Sequence, residues 1–198
     1  SDSLVRRSEV DSILTAIDLS MSIYRKDSRI SKFNTDTVMS VVMDSHMAKV
    51  INASFKYHKL SKGQFDITIA PLVNLWGFGA NKSPVAPDSA TVRKAKELVG
   101  MHYLKVSGNR LIKKKQGIKI DVNGIAQGYT VDVLADYLER KGIANYMVEV
   151  GGEIRALGTP PGGHGFSIGI VQPDGESGEE LMTAVAQLNE GALTTAGS

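Results

Sequence analysis

The chain has 198 residues, 42% hydrophobic and 22% charged, enough to bury a sizeable core without a covalent staple. Its 23 basic and 21 acidic residues leave a net charge of +2, spread along the chain with no clustered footprint for nucleic acid. Cysteine is absent, which excludes disulfides, zinc–thiolate centres and a thiol nucleophile, and no apolar stretch approaches the roughly 20 residues that span a bilayer.

Val5, Val10, Ile13, Ile17 and Met21 recur at mostly helical spacing and predict an amphipathic helix ending near Ser20. Asp27-Ser28 offers a cap for a short helix through Ile30 and Phe33. A second long helix places Met47, Val50, Ile51 and Phe55 on one face before Lys62-Gly63 stops it. Pro71 cannot donate to a ladder, so residues 66–79 do not read as a central strand. Residues 80–88, with Pro84 and Pro87, predict a loop before a third helix from about Asp88 to Gly100. Residues 103–106 and 111–114, joined by Ser107-Gly108-Asn109, predict a hairpin. The run Lys113-Lys114-Lys115 reads as its solvated end.

Residues 118–122 predict a short buried strand. It feeds a glycine-bearing turn over 123–128, then a helix that buries Val131, Leu134, Ala135 and Leu138 and stops at Gly142. Strands are expected at 146–150, 154–157, 166–171, 184–188 and 192–195. Helices cluster early and strands late, so the expected class is α+β, with one domain over residues 1–198.

Three segments carry chemistry. In Asp121-Val122-Asn123-Gly124-Ile125-Ala126-Gln127-Gly128 an acidic residue ends a strand and glycines open a helix. Unpaired N–H groups and the positive end of the helix dipole suit a pyrophosphate there. Asp121 could hold a ribose hydroxyl, an adenine amine or a metal-bound water, or it could simply cap the helix. The second segment, Gly63-Gln64-Phe65-Asp66-Ile67-Thr68 followed by Leu75-Trp76-Gly77-Phe78-Gly79, sets aromatic rings among glycines beside a carboxylate. That pattern can wall a flat heterocycle, or fill a core. The third, Glu149-Val150-Gly151-Gly152-Glu153-Ile154-Arg155, suggests a bulge or a close backbone approach, with Glu149, Glu153 and Arg155 on one face if the strand is regular. His46, His58, His102 and His164 are too scattered for a zinc site, and Ser31 and Thr68 belong to no nucleophile motif.

Together with Ser22-Ile23-Tyr24-Arg25-Lys26-Asp27-Ser28, Asn34, Asp132 and Thr194 through Gly197, these segments fall in an order that resembles the FAD:protein FMN transferase family, the ApbE family. The resemblance covers nearly the whole chain. It implies an ApbE-like α+β fold, with mostly antiparallel strands late, that binds FAD as substrate with Mg²⁺ at the pyrophosphate. Members transfer FMN to a threonine of a target flavoprotein and release AMP; some instead hydrolyse FAD to FMN and AMP. By position, Tyr24, Gln64, Phe65, Asp66, Asp121 and Gln127 would line the nucleotide, and the Gly124 carbonyl would meet the metal. The implied partner is a subunit of a redox-driven pump. The implied setting is the bacterial periplasm or inner-membrane surface, with a lipid anchor outside this chain. Relative to the family the chain reads as truncated at both ends. It lacks an N-terminal Met-Gly-Thr strand and, after Ser198, a His-containing segment and an Asp/Thr metal-ligand pair. An FAD-binding fragment without turnover is therefore the alternative to an enzyme.

Overall fold

Side-chain caps set most of the early helices. Helix α1 (Arg7–Met21) runs one residue past its predicted stop. Ser28 accepts the Ser31 N–H and opens α2 (Arg29–Phe33) as expected, and Asp44 accepts the Met47 N–H to open α3 (Ser45–Leu60). Met47, Val50 and Ile51 are buried as predicted, but Ser54 completes the stripe in place of Phe55. Residue 54 lies two turns from Met47, and its hydroxyl is satisfied by the Val50 carbonyl at 2.8 Å. The helix stops where predicted, with Lys62 and Gly63 both at positive φ.

The computed structural model describes residues 4–79, 86–173 and 180–194. They divide into two compact units, Leu14–Ala126 and Ser1–Ile13 with Gln127–Ser198.

In the first unit Pro71 stands in the first turn of α4 (Ala70–Leu75), after a 3-10 turn at Ile67–Ile69, so the segment is helical and not a strand. Of the predicted loop, residues 80–85 lie outside the described residues. Asp88 caps α5 (Ser89–Lys96), which ends short of the predicted Gly100. The Leu98 and Val99 N–H groups turn to carbonyls three residues back, and Gly100 then adopts φ 151°.

A three-stranded antiparallel sheet of order β1-β3-β2 follows from Ser40–Val42 (β1), Leu104–Ser107 (β2) and Arg110–Lys113 (β3). The hairpin is the predicted one. Strand β1 was not expected, because three residues are too few to show an alternation.

Two expectations fail in this unit. Lys113 is not solvated: it is 2% exposed, with Nζ 3.2 Å from the Thr35 carbonyl and 4.7 Å over the Phe33 ring. It alternates inward with Leu111 on β3, which sets its ammonium over the ring. Burial holds its ammonium below the ordinary lysine range, against the nearby Asp36 carboxylate. Residues 118–122 alternate inward, with Ile118, Ile120 and Val122 all at 0% exposure, but among the described residues they pair with no strand. The Asn34 side-chain amide takes the place of one, accepting the Ile120 N–H and donating to its carbonyl, both at 2.8 Å. The Asp121 N–H bonds the Ile67 carbonyl at 2.7 Å.

The Lys113 ammonium costs stability that its deprotonation restores. The unfolded state binds the proton more tightly, so stability rises as pH increases from the lowered folded pKa towards 10.5. Lys113→Met should abolish that slope. It should also hold or raise stability at neutral pH by about 1 kcal/mol, as replacing buried charge with matched apolar volume often does. The Thr35 carbonyl keeps its bond from the Val38 N–H. Urea unfolding of both proteins at pH 7 and pH 9.5 measures this.

Helix α6 (Asn123–Arg140) corrects another expectation: it begins at Asn123, so Gly124 and Gly128 are helical residues and not a turn. It buries Val131, Leu134 and Ala135 as predicted, with Tyr137 in place of Leu138. The chain turns out at Gly142, φ 77°, as expected.

In the second unit β4 (Tyr146–Val150), β5 (Glu153–Leu157) and β8 (Glu190–Thr194) form an antiparallel sheet of order β4-β5-β8. Strands β6 (Phe166–Pro173) and β7 (Glu180–Leu188) pair as a separate hairpin, both longer than predicted, with a register shift at Ile170/Val171. Thr195 lies outside the described residues. Early helices and late antiparallel strands give the α+β fold expected.

Candidate functional site

The end of α3 builds one wall of a cleft. The Phe65 N–H donates to Ser61 Oγ at 2.9 Å, and the Phe65 carbonyl sits 2.7 Å from His58 Nδ1. A carbonyl can only accept, so Nδ1 carries the proton. The Phe65 ring meets Tyr57 edge to face at 6.5 Å. This pins a phenyl ring that remains half-exposed.

The next residue serves the scaffold as well as the cleft. Asp66 Oδ1 accepts the Thr68 N–H at 2.8 Å and its hydroxyl at 2.5 Å, while Oδ2 accepts the Met101 N–H at 3.1 Å. Thr68, wholly buried, also accepts the Gly100 N–H at 2.6 Å. From sequence Thr68 closes the aromatic segment but belongs to no nucleophile motif. Its signal, an Asp two residues before a Thr, is the cap of the 3-10 turn.

Opposite stands Asp121. Its Oδ1 accepts the Asn123 N–H at 2.8 Å, so it does cap α6. Val122 accepts the Ile125 and Ala126 N–H groups. Among the described residues the Gly124 N–H has no such partner, and neither has Asp121 Oδ2. The helix start therefore presents a free donor beside a carboxylate oxygen, and the donor belongs to the positive end of a five-turn dipole.

Between these walls lies an open cleft of about 360 Å³, lined by Gln64, Phe65, Asp66, Asp121 and Gly124, with Ile69, Val73 and Phe78 as apolar lining. Phe78 is 81% exposed, a cost in water that a stacked ligand would remove. Five of the sequence-predicted positions thus come together. Trp76 does not line this cleft and is half-exposed, and neither does Tyr24, which stands in the turn after α1 and is 67% exposed. Gln127, further along α6, lies against Gly151 in the other unit's own set of residues. The glycines at 124 and 128 are not forced by protein neighbours, since a Cβ at Gly124 would meet Phe65 at an ordinary 3.9 Å.

Mg²⁺ needs about six oxygen donors. Among the described residues no three His, Cys, Asp or Glu side chains come together to hold a metal. Asp121 and Gly124 both line the cleft, and a carboxylate and a backbone carbonyl are the oxygen donors that suit a hard cation completed by phosphate oxygens and water.

The third predicted segment is a tight turn between paired strands. Gly151 and Gly152, φ 61° and 92°, make a two-residue mirror-image turn and not a bulge. The register Val150↔Glu153 and Glu149↔Ile154 puts Glu149 on the face opposite Glu153 and Arg155. Arg155 Nη1 bonds Asp132 at 2.9 Å and lies 3.6 Å from Asp136, while Nη2 reaches Glu139 at 3.0 Å. Tyr146 OH donates to Glu139; burial first, and then this carboxylate, push the phenol to about 12. Glu9 accepts from Lys141 and Tyr137 at 2.8 Å, and the lysine bond chiefly draws it down to about 2.

With this geometry the family profile can be placed. The ApbE family profile matches residues 3–198. The chain belongs to the ApbE family.

Its similarity to individual ApbE members is close. It is 38% identical to the FAD:protein FMN transferase of Vibrio cholerae over 186 residues, 92% of this chain and 56% of that protein. It is 35% identical to the Haemophilus influenzae protein of the same name, over 96% and 56%. The solved flavin transferase ApbE of Vibrio cholerae superposes with a TM-score of 0.89 at 35% identity, covering 100% of this chain and 64% of that one. The ApbE protein of Thermotoga maritima gives 0.81 at 26% identity, covering 97% and 63%. The chain spans just over half the length of the curated relatives it matches.

Proposed function

We propose that this chain is the FAD-binding part of an FAD:protein FMN transferase. The observation that carries the reading is the cleft itself: exposed and half-exposed phenyl rings on one side, and on the other a helix start with a free N–H beside Asp121. Phe65 and Phe78 offer faces to a flat ring system. The Gly124 N–H and the helix dipole address a pyrophosphate, and Asp121 Oδ2 accepts from a ribose hydroxyl or a metal-bound water. The relatives named as FAD:protein FMN transferases support the same assignment.

The reaction forms a bond between the oxygen of a threonine hydroxyl on a target flavoprotein and the flavin-side phosphorus. The bond from that phosphorus to the bridging oxygen breaks, AMP leaves with that oxygen, and the hydroxyl proton passes to solvent. Phosphoryl transfer asks for positioning and charge neutralisation more than for a protein nucleophile. This chain's residues position. Phe65 is fixed by Ser61 and His58, Asp66 by Thr68, and Asp121 by the Ile67 carbonyl. Mg²⁺, when bound, supplies charge neutralisation at the pyrophosphate. The acceptor is proposed as a subunit of a redox-driven pump, and the setting as the periplasm or inner-membrane surface of a bacterium, with a lipid anchor outside this chain.

Titration calorimetry should show FAD binding at least tenfold tighter than riboflavin, because the helix start addresses the pyrophosphate and not the ring. Incubation with FAD, Mg²⁺ and a flavoprotein acceptor should add the mass of FMN to the acceptor and release AMP. Equal affinities would remove the pyrophosphate assignment, and AMP release with an unmodified acceptor would make the protein a pyrophosphatase.

A further inference from the structure

A second cleft, of about 510 Å³, adjoins the first at Phe65 and Gly124. Its lining is Tyr57, Leu60, Ser61, Phe65, Gly124 and Ile125, so the two clefts share one aromatic ring and one backbone segment as a common wall. Tyr57 is 47% and Leu60 66% exposed. Both are large apolar side chains at the end of α3, held open to water by a helix whose buried stripe lies elsewhere. Lys56, Lys59 and Lys62 flank this stretch of sequence, all exposed, and among the described residues none of the three forms an ion pair. Lys56 instead lies 5.8 Å from the Tyr57 ring centroid.

We infer that this second cleft is the docking groove for the acceptor polypeptide, taking an apolar side chain between Tyr57, Leu60 and Ile125 with acidic residues of the same segment against the three lysines. The inference rests on the transferase reading, which needs two substrates at one phosphorus. FAD fills the first cleft, and the hydroxyl must arrive from a neighbouring surface. The groove that shares Phe65 and Gly124 with the nucleotide cleft is such a surface, and the exposed lysines that flank Tyr57 and Leu60 in sequence select the partner. An acidic segment gains from three unpaired lysines, whereas a basic one is repelled. The apolar floor supplies a desolvated anchor of the kind that dominates small interfaces.

The test uses the native full-length protein and the purified flavoprotein domain that it labels, recognised by its fluorescent band after incubation with FAD. Leu60→Glu, and the combined change of Lys56, Lys59 and Lys62 to Glu, alter exposed side chains and leave the core untouched. Each should raise the KM for the acceptor about tenfold or more, with kcat at saturating acceptor and the Kd for FAD within about twofold of wild type. The wild-type KM should rise with added salt and that of the triple-lysine variant should not. Unchanged acceptor KM in both variants overturns the groove, and so does a parallel loss of FAD affinity, which would make it a part of the nucleotide site. If the wild-type protein binds FAD but labels no acceptor, the transferase reading fails and takes the groove with it.

Discussion

Replacing Asp121 with alanine is expected to weaken FAD binding roughly ten- to a hundredfold, the loss of a charge-assisted hydrogen bond of about 1.5–3 kcal/mol. The structure adds a second effect. Oδ1 accepts the Asn123 N–H at the start of α6, so the same change removes a helix cap and costs about 1 kcal/mol of stability. The two losses separate in Asp121→Asn. An asparagine oxygen caps as well as an aspartate oxygen, so this variant should melt within a degree or two of wild type. It has lost the carboxylate that faces the cleft, and FAD affinity should fall nearly as far as in the alanine variant. A flavin titration of both variants, well below their melting temperatures, beside a thermal melt decides between the roles. Normal affinity in Asp121→Asn would leave Asp121 a cap and nothing more.

What was legible in the sequence is the part written in local chemistry. Ser28 and Asp44 begin helices because their side chains bond an N–H three residues on, a relation visible in the sequence alone. The positive-φ stops at Lys62-Gly63 and Gly142 are equally local. Asp121 and the two cleft segments were legible in short motifs of glycine, aromatic ring and carboxylate, whereas Gln64, Phe65, Asp66 and Gly124 were singled out within them by the family resemblance. The misses lie where a distant residue decides. Lys113 reads as solvated in a run of three lysines, yet β3 turns it onto Phe33, some eighty residues away in sequence. Residues 118–122 carry a strand's alternation of buried side chains, but among the described residues their backbone partners are the Asn34 amide and the Ile67 carbonyl and not a strand. No periodicity reports that. The Gly151-Gly152 pair inverts the expected parity of Glu149, because a two-residue turn moves the chain to a second strand. Gly124 and Gly128 look like a turn because glycine is a poor helix former, whereas the Asp121 cap starts the helix ahead of them.

That amide, Asn34, carries the other large expected effect. Its Oδ1 accepts the Ile120 N–H and its Nδ2 donates to the Ile120 carbonyl, each at 2.8 Å, and Ile120 is completely buried. Asn34→Ala orphans both groups away from water. At about 1–3 kcal/mol for each unsatisfied partner, the expected destabilisation is about 2–4 kcal/mol. The backbone contributes none of this, since Asn34 holds φ −72° and ψ −4°, which alanine adopts freely. Asn34→Asp keeps an acceptor for the N–H but sets a carboxylate oxygen against the Ile120 carbonyl, so it should also destabilise, and more so above the carboxyl pKa than below it. Asp121 follows Ile120 directly, so a loosened segment also misplaces the carboxylate at the α6 start. FAD affinity should therefore fall in Asn34→Ala even where the protein is fully folded. Urea unfolding gives the stability term, and amide exchange at Ile120 shows whether the segment has opened. A loss under about 0.5 kcal/mol with Ile120 still protected would mean that water had taken the amide's place. Asn34 would then be a dispensable partner of a segment that its apolar residues hold on their own.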